Sequence, residues 1–271
     1  MSFHNSSEYC YEWLKNQPCV KEESLTDWLL YNASKSCSKV FYRAFARNEE
    51  AHNGADWEWW IIVDKPYGTR AYRLLVQAKK LRAGGDNYPL VTYSNKNGMQ
   101  IDLLIKEAKK RNALPLYAYY SCCHPDINQQ LKNVKYVPES LLKKCAGYLD
   151  GCFLTSAFDL HKNIFCHPRR KLNEQELINS SFGLSAFDDI LNKTKRSKRF
   201  LNCLNNLYLH SDDSEGDSRR GIEYYEQILP EYVKSLMDGW GQENLLMVES
   251  QFRYDLEPLA GIVIIDARTD R

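Results

Sequence analysis

Asp56, Gln77 and Lys79 carry the most legible chemistry in the sequence. Side chains two residues apart on a strand share a face. Gln77-Ala78-Lys79 ends a strand-like segment, Arg70 to Lys79, with Leu74-Leu75-Val76 at its apolar centre, so Gln77 and Lys79 project together while Val76 and Ala78 turn into packing. Asp56 opens the preceding segment, Asp56-Trp57-Glu58-Trp59-Trp60-Ile61-Ile62-Val63, whose aromatic and β-branched residues are good strand material. Pairing of the two segments through a turn at 64–69 sets Asp56 opposite the Gln77–Lys79 end. A carboxylate, an amide oxygen and an ammonium then converge. Hard oxygen donors suit Mg²⁺, which binds through few carboxylates together with water and substrate phosphate. A metal-activated water, oriented or deprotonated by a lysine, is the chemistry of phosphodiester hydrolysis.

The elements that must position these residues follow from periodicity. Glu22 to Cys37 reads as a helix, with Leu25, Trp28, Leu29 and Ala33 at helical spacing and Glu22 and Glu23 in the first turn. Val40 to Arg47 alternates as a strand, and the next two strands follow through short connections that favour an antiparallel meander. Met99 to Arg111 is a helix striped by Ile101, Leu104, Ile105 and Ala108, and Pro115 to Tyr120 is a fourth strand. A strand-helix-strand crossover of this length adds a parallel neighbour to a sheet. Trp57, Trp59 and Trp60 are expected in the core, not as base-stacking platforms. Beyond 125, helical pieces are expected at Glu139–Leu149, within Asn173–Asn205 and at Tyr224–Leu236. Strands are expected at Gly151–Phe158 and Ile262–Asp266, and an acidic loop at His210–Arg220.

The order helix, three strands, helix, strand over residues 22–121 resembles the PD-(D/E)xK nuclease superfamily, the restriction-endonuclease-like fold. Asp56 matches its second-strand acid and Gln77-Ala78-Lys79 its third-strand motif, in the Q-x-K form found in several restriction and antiphage effectors. Glu23 matches the glutamate of the first helix. The resemblance implies an α/β fold with a mixed sheet and an αβββαβ core within residues 1–125; it assigns nothing beyond, where the pattern itself predicts a mainly helical extension over 126–271 whose late strand, needing a partner, packs on the same core. It also implies Asp56, Gln77, Lys79 and Glu23 as catalytic residues, Mg²⁺ with Mn²⁺ as substitute, DNA as substrate, and a setting in bacterial defence. An activating protein partner or a homo-oligomer is a common restraint on such domains. Gln77 carries one negative charge fewer than the usual acid, so metal binding calls for a further carboxylate: Glu23, or failing that Glu50 or Glu58. Two other readings stand beside DNA cleavage: an inactive nuclease fold that binds nucleic acid or a protein, and cleavage of RNA.

Composition bounds these readings. A formal net charge of +1 excludes a generally basic nucleic-acid binder, so any grip on phosphate rests on local patches. Lys80 and Arg82, beside the motif, are one; the run Lys193, Lys195, Arg196, Lys198 and Arg199 is the other. Nine cysteines without a C-x-x-C pair read as reduced thiols, leaving Cys152, Cys166, His161 and His167 as a minor metal-site candidate. No apolar run is long enough to span a membrane and no signal-peptide pattern is present, so a cytoplasmic, membrane-free protein is expected.

Overall fold

The computed structural model describes residues 2–45, 54–65, 68–124, 126, 150–166, 171–209, 229–238, 251–252 and 259–269. Two helices, α1 (Ser2–Asn16) and α2 (Glu22–Ser36), precede the strands β1 (Val40–Ala44), β2 (Trp57–Lys65) and β3 (Gly68–Lys80). A short helix, α3 (Tyr88–Val91), and a small ladder of β4 (Ser94–Asn95) with β5 (Gly98–Met99) lead into α4 (Gln100–Lys110) and β6 (Leu114–Tyr120). Then follow β7 (Cys152–Ser156), α5 (Ala157–Cys166), α6 (Glu174–Asn179), β8 (Phe182–Gly183), α7 (Ala186–Leu191), α8 (Ser197–Leu209), α9 (Glu231–Asp238) and β9 (Gly261–Asp266).

The protein is mixed α/β. Its seven-stranded sheet runs β1-β9-β2-β3-β6-β7-β8, with parallel pairs β9–β2 and β3–β6 and antiparallel pairs elsewhere. Period-two alternation sorts the side chains. Trp57, Trp59, Ile61 and Val63 of β2 and Leu74, Val76 and Ala78 of β3 pack with residues of α1, α2, α7 and α8. On the opposite face Leu75, Tyr117 and Tyr119 meet α4, α5 and α6, while Trp60, Ile62 and Ile264 meet α9. The three tryptophans are buried, as expected of core residues.

The expected β1–β2–β3 meander is not formed: β9 lies between β1 and β2. The reason is burial. Gly261 to Ile265 is fully buried and lacks a polar side chain, so it needs neighbours on both edges and packing on both faces. Strand β1 is only partly buried, with Arg43 and Ala44 at its end, and takes the outer position. Gly261 is required where β9 enters, because a Cβ there would fall 2.1 Å from the Trp57 ring and 2.3 Å from the Arg43 carbonyl oxygen.

The other elements sit close to their expected positions. The helix expected at Met99–Arg111 is α4, and the crossover places β6 parallel to β3. The strand expected at Gly151–Phe158 is β7, which gives way to α5 at Ala157. Glu139–Leu149, His210–Arg220 and residues 224–228 of the helix expected at Tyr224–Leu236 lie outside the described residues; α9 (Glu231–Asp238) covers the later part of that helix. Helix α1 was not anticipated. Its buried face mixes Phe3, Cys10, Tyr11 and Leu14 with Ser2, Ser6 and Ser7, and those serines blur the apolar stripe. They are spoken for: Ser7 Oγ donates to the Asp150 carboxylate, and Asp188 accepts the Ser2, Phe3 and His4 amides at 3.0, 3.1 and 2.8 Å, capping the helix dipole.

Candidate active site

Asp56 lies one residue before β2 and already follows the ladder, its amide donating to the Val76 carbonyl at 2.9 Å. Trp57 pairs with Val76, so Asp56 stands beside Gln77. The Asp56 carboxylate accepts from Gln77 Nε2 and, at 3.0 Å, from the Ala78 amide. Gln77 Nε2 also donates to the Ala78 carbonyl at 3.0 Å, while Gln77 Oε1 accepts from Gln100 Nε2 at 2.8 Å. Gln77 is buried, and Lys79, two residues on, is half-buried at the same end of the sheet.

Gly54 sets the approach to Asp56. Its φ of +74° lies in the region that favours glycine, and a Cβ would stand 2.5 Å from the Gln100 carbonyl oxygen and 2.6 Å from the Leu104 nitrogen. The chain entering β2 therefore runs directly over the first turn of α4. That contact brings Asp56, Gln77 and Gln100 together.

From the other face of the sheet, α2 contributes carboxylates. A cleft of about 240 Å³ is lined by Glu22, Glu23, Thr26, Asp27, Asp56, Trp57 and Ala78, with Ala44, Phe45 and Ala260 at its apolar side. Glu22 is the more enclosed of the two helix glutamates; Glu23 is exposed at the rim. Glu22 Oε2 accepts the Lys80 amide at 2.6 Å. Its carboxyl is pushed up to about 7, first by burial and further by the charges of Asp56 and Glu23, against the pull of Lys79 and the Lys80 amide. Glu22, Asp56 and Lys79 are thus electrostatic neighbours. Sequence reading chose Glu23, one position along. The signal that finds Glu22 is the buried stripe itself, since Leu25, Thr26, Leu29 and Ala33 lie three, four, seven and eleven residues beyond it.

The remaining sequence candidates fall elsewhere. Glu58 is fully buried and committed to Arg73 at 3.0 Å and Arg111 at 3.7 Å, with Trp60 Nε1 and the Tyr232 hydroxyl also donating to it. Its role is structural, because in that buried setting it accepts from Arg73, Trp60 and Tyr232 and lies beside Arg111. Glu50 lies outside the described residues. Lys80 Nζ binds the carbonyls of Pro18 and Val20 at 2.9 and 2.6 Å, which ties its charge to the α1–α2 connection; Arg82 is exposed. Lys193 donates to Thr269 at 2.6 Å and lies 3.7 Å from Asp64, at the far end of β2. At ~3.3 Å per residue that end is about 26 Å from Asp56, so the run Lys193, Lys195, Arg196, Lys198 and Arg199 starts well away from the cleft. Lys195, Lys198 and Arg199 are exposed. Of the cysteine-histidine set, Cys152 is buried in β7, Cys166 is exposed and His161 pairs with Asp102 at 2.9 Å; His167 lies outside the described residues.

The donor types at this end of the sheet suit a hard divalent cation: the Asp56 and Glu22 carboxylates line the cleft, the Gln77 amide bonds Asp56 beside it, and burial, with the neighbouring acids adding to it, pushes the Glu22 carboxyl up. Among the described residues no group of three or more His, Cys, Asp or Glu stands in metal-ligating geometry, and Gln77 turns its nitrogen, not its oxygen, towards Asp56. Carboxylates, a neutral amide and a lysine at one sheet end can hold a cation and position a phosphate or a water.

Fold and site together define a mixed α/β protein with an acidic, lysine-flanked cleft at one end of its central sheet. The chain belongs to DUF6615, a family of unknown function, whose model matches residues 1–271. No curated protein and no solved structure matches it. No helix among the described residues is long and apolar enough to cross a membrane.

Proposed function

We propose that the protein is a divalent-metal-dependent nuclease that hydrolyses phosphodiester bonds in DNA, on a restriction-endonuclease-like core, and that it serves as a bacterial defence effector. The observation that supports this reading most directly is the meeting of Asp56 and Gln77, with Lys79 and Glu22 close by, at the end of β2 and β3. In the resemblance, Asp56 and the Q-x-K motif stand at that same position. The acidity of the cleft supports it further, since a phosphate would be repelled there unless a cation lay between.

In this reading Asp56, Glu22 and the Gln77 amide hold Mg²⁺, with Glu23 at the rim. Bound there, the ion supplies Lewis-acid stabilisation of the phosphoryl oxygens and lowers the pKa of a water. Lys79 orients that water and offsets charge developing on the phosphate. The Ala78 amide and the Lys80 amide fix the Asp56 and Glu22 carboxylates at 3.0 and 2.6 Å, so neither side chain must reorganise as charge develops.

A second reading, a non-cutting module that binds nucleic acid or a protein, draws support from one observation: Gln77 donates to Asp56 as an amide does when it stands in for a cation. The two readings separate in one assay. Purified protein is incubated with plasmid DNA and with RNA, in Mg²⁺, Mn²⁺ or EDTA, beside Asp56→Ala and Lys79→Ala. The nuclease reading expects cleavage of DNA that chelation abolishes and that each substitution lowers by at least about a hundredfold. Cleavage that ignores EDTA or survives both substitutions overturns it. Cleavage of RNA alone would change the substrate.

A further inference from the structure

Gln100 joins the site through Gln77, and its own far end is loose. Its Nε2 donates to Gln77 Oε1 at 2.8 Å, yet its Oε1 is buried with no hydrogen-bond partner among the described residues. A buried acceptor without a donor loses its hydration without replacement, so such atoms call for an explanation. The two amides form a relay: Gln100 donates to Gln77, and Gln77 donates to Asp56 and to the Ala78 carbonyl. Nothing among the described residues locks its outer end, so its direction is set at the inner end alone. Without a cation, Asp56 and the Ala78 carbonyl need a donor, and Gln77 supplies Nε2. With a cation among those oxygens, the same spot needs an acceptor. An amide meets both demands by rotating half a turn, provided that its other end finds the opposite partner. Gln100, also an amide, can supply that partner; a residue that only donates or only accepts serves one direction.

Building on the metal-dependent reading, we propose that Gln77 and Gln100 form a reversible amide relay. Gln100 is its positioning residue: on cation binding both amides rotate, Gln77 Oε1 turns towards Asp56, and Gln77 Nε2 donates to Gln100 Oε1. This assigns a role to a residue outside the Q-x-K motif. It also gives a reason for a neutral glutamine at the motif position: Gln77 satisfies Asp56 while the site is empty, where a second acid would repel it.

The test is binding, not turnover. Mn²⁺ affinity is measured by calorimetry on wild type, Gln100→Met and Gln100→Glu, with thermal melts to check folding. Mg²⁺ titration of wild type is followed by NMR at the side-chain amides of Gln77 and Gln100. Gln100→Met, which can neither donate nor accept, should weaken Mn²⁺ binding by about ten- to a hundredfold, the usual cost of losing a ligand's supporting partner. Gln100→Glu, which accepts, should keep wild-type affinity or tighten it. In the NMR titration, contacts from the Gln77 amide protons should move from the Ala78 side to the Gln100 side chain as Mg²⁺ is added. If wild type binds Mn²⁺ and both variants bind equally well, or the Gln77 contacts stay where they are, the relay is overturned while the metal site stands. If wild type binds neither ion, the relay and the metal-dependent reading fall together.

Discussion

Glu22 holds its proton unusually high, and that has a measurable consequence in the metal-free protein. The folded carboxyl titrates at about 7, against an ordinary value of 4.5, mainly because it is buried. Between those values the folded chain binds more protons than the unfolded chain, so this residue's contribution to stability falls as pH rises through that window and stays at its lowest above pH 7. Glu22→Gln removes the penalty while keeping an oxygen for the Lys80 amide. The metal-free variant should therefore melt several degrees above wild type at pH 8, with the two curves converging towards pH 5. The same substitution should weaken Mn²⁺ binding, because it removes a carboxylate from the cleft. Equal melting temperatures at pH 8 would remove Glu22 from the enclosed, acid-crowded position. Much of this site was legible in the sequence. Strand alternation alone sets Gln77 and Lys79 on one face, and the turn between β2 and β3 brings Asp56 to them. The resemblance selects Glu23, which shares the cleft with Glu22; the helix pattern points to Glu22 once Trp28 is left out of the apolar stripe. Its ring is 40% exposed, and without it the stripe centres on Leu25, Thr26 and Leu29, the face on which Glu22 lies. Gln100 could not be found that way, since its approach to Gln77 depends on the tertiary contact of Gly54 with α4.

At the scale of elements, the segment entering β2 and the first turn of α4 act as one unit. Gly54 permits backbone contact with Gln100 and Leu104 that no side chain could share. Gly54→Ala should cost about 2–4 kcal/mol, combining the strain of a left-handed backbone with overpacking against α4. It should also disturb the site more than an equally destabilising change far from it, because Asp56 is only two residues on. Denaturant melts give the first quantity, and Mn²⁺ affinity under conditions where the variant remains folded gives the second. A variant that melts like wild type would mean that the chain here is free to move off α4. Element boundaries were readable wherever one period dominates, as in α4 and β3. They failed at α1, where buried serines bonded to Asp150 and held near Asp188 interrupt the pattern, because a polar side chain with a buried partner is indistinguishable in sequence from one facing water.

Across the whole molecule, the sheet cannot be assembled from the first half of the chain alone. Strands β1 and β2 both pair with β9, one antiparallel and one parallel, and neither pairs with the other. Periodicity identified β9 as a buried strand but could not place it, since a run that is apolar on both faces says only that it has neighbours, not which. Removing it would leave the inner edges of β1 and β2 without partners, six residues of β2 among them, and would open the cores on both sides at Val263, Ile265, Ile262 and Ile264. A chain ending at Pro258 should accordingly lose cooperative unfolding and expose apolar surface. Ile264→Asp, which places a charge opposite Trp60 in the β9–β2 ladder, tests the same point in the full-length chain and should abolish the native state. If the chain ending at Pro258 keeps a cooperative melt and its sheet signal, β1 and β2 can close on each other as a meander. The cleft would then be a property of the first half alone, and the late strand an addition to a sheet already complete.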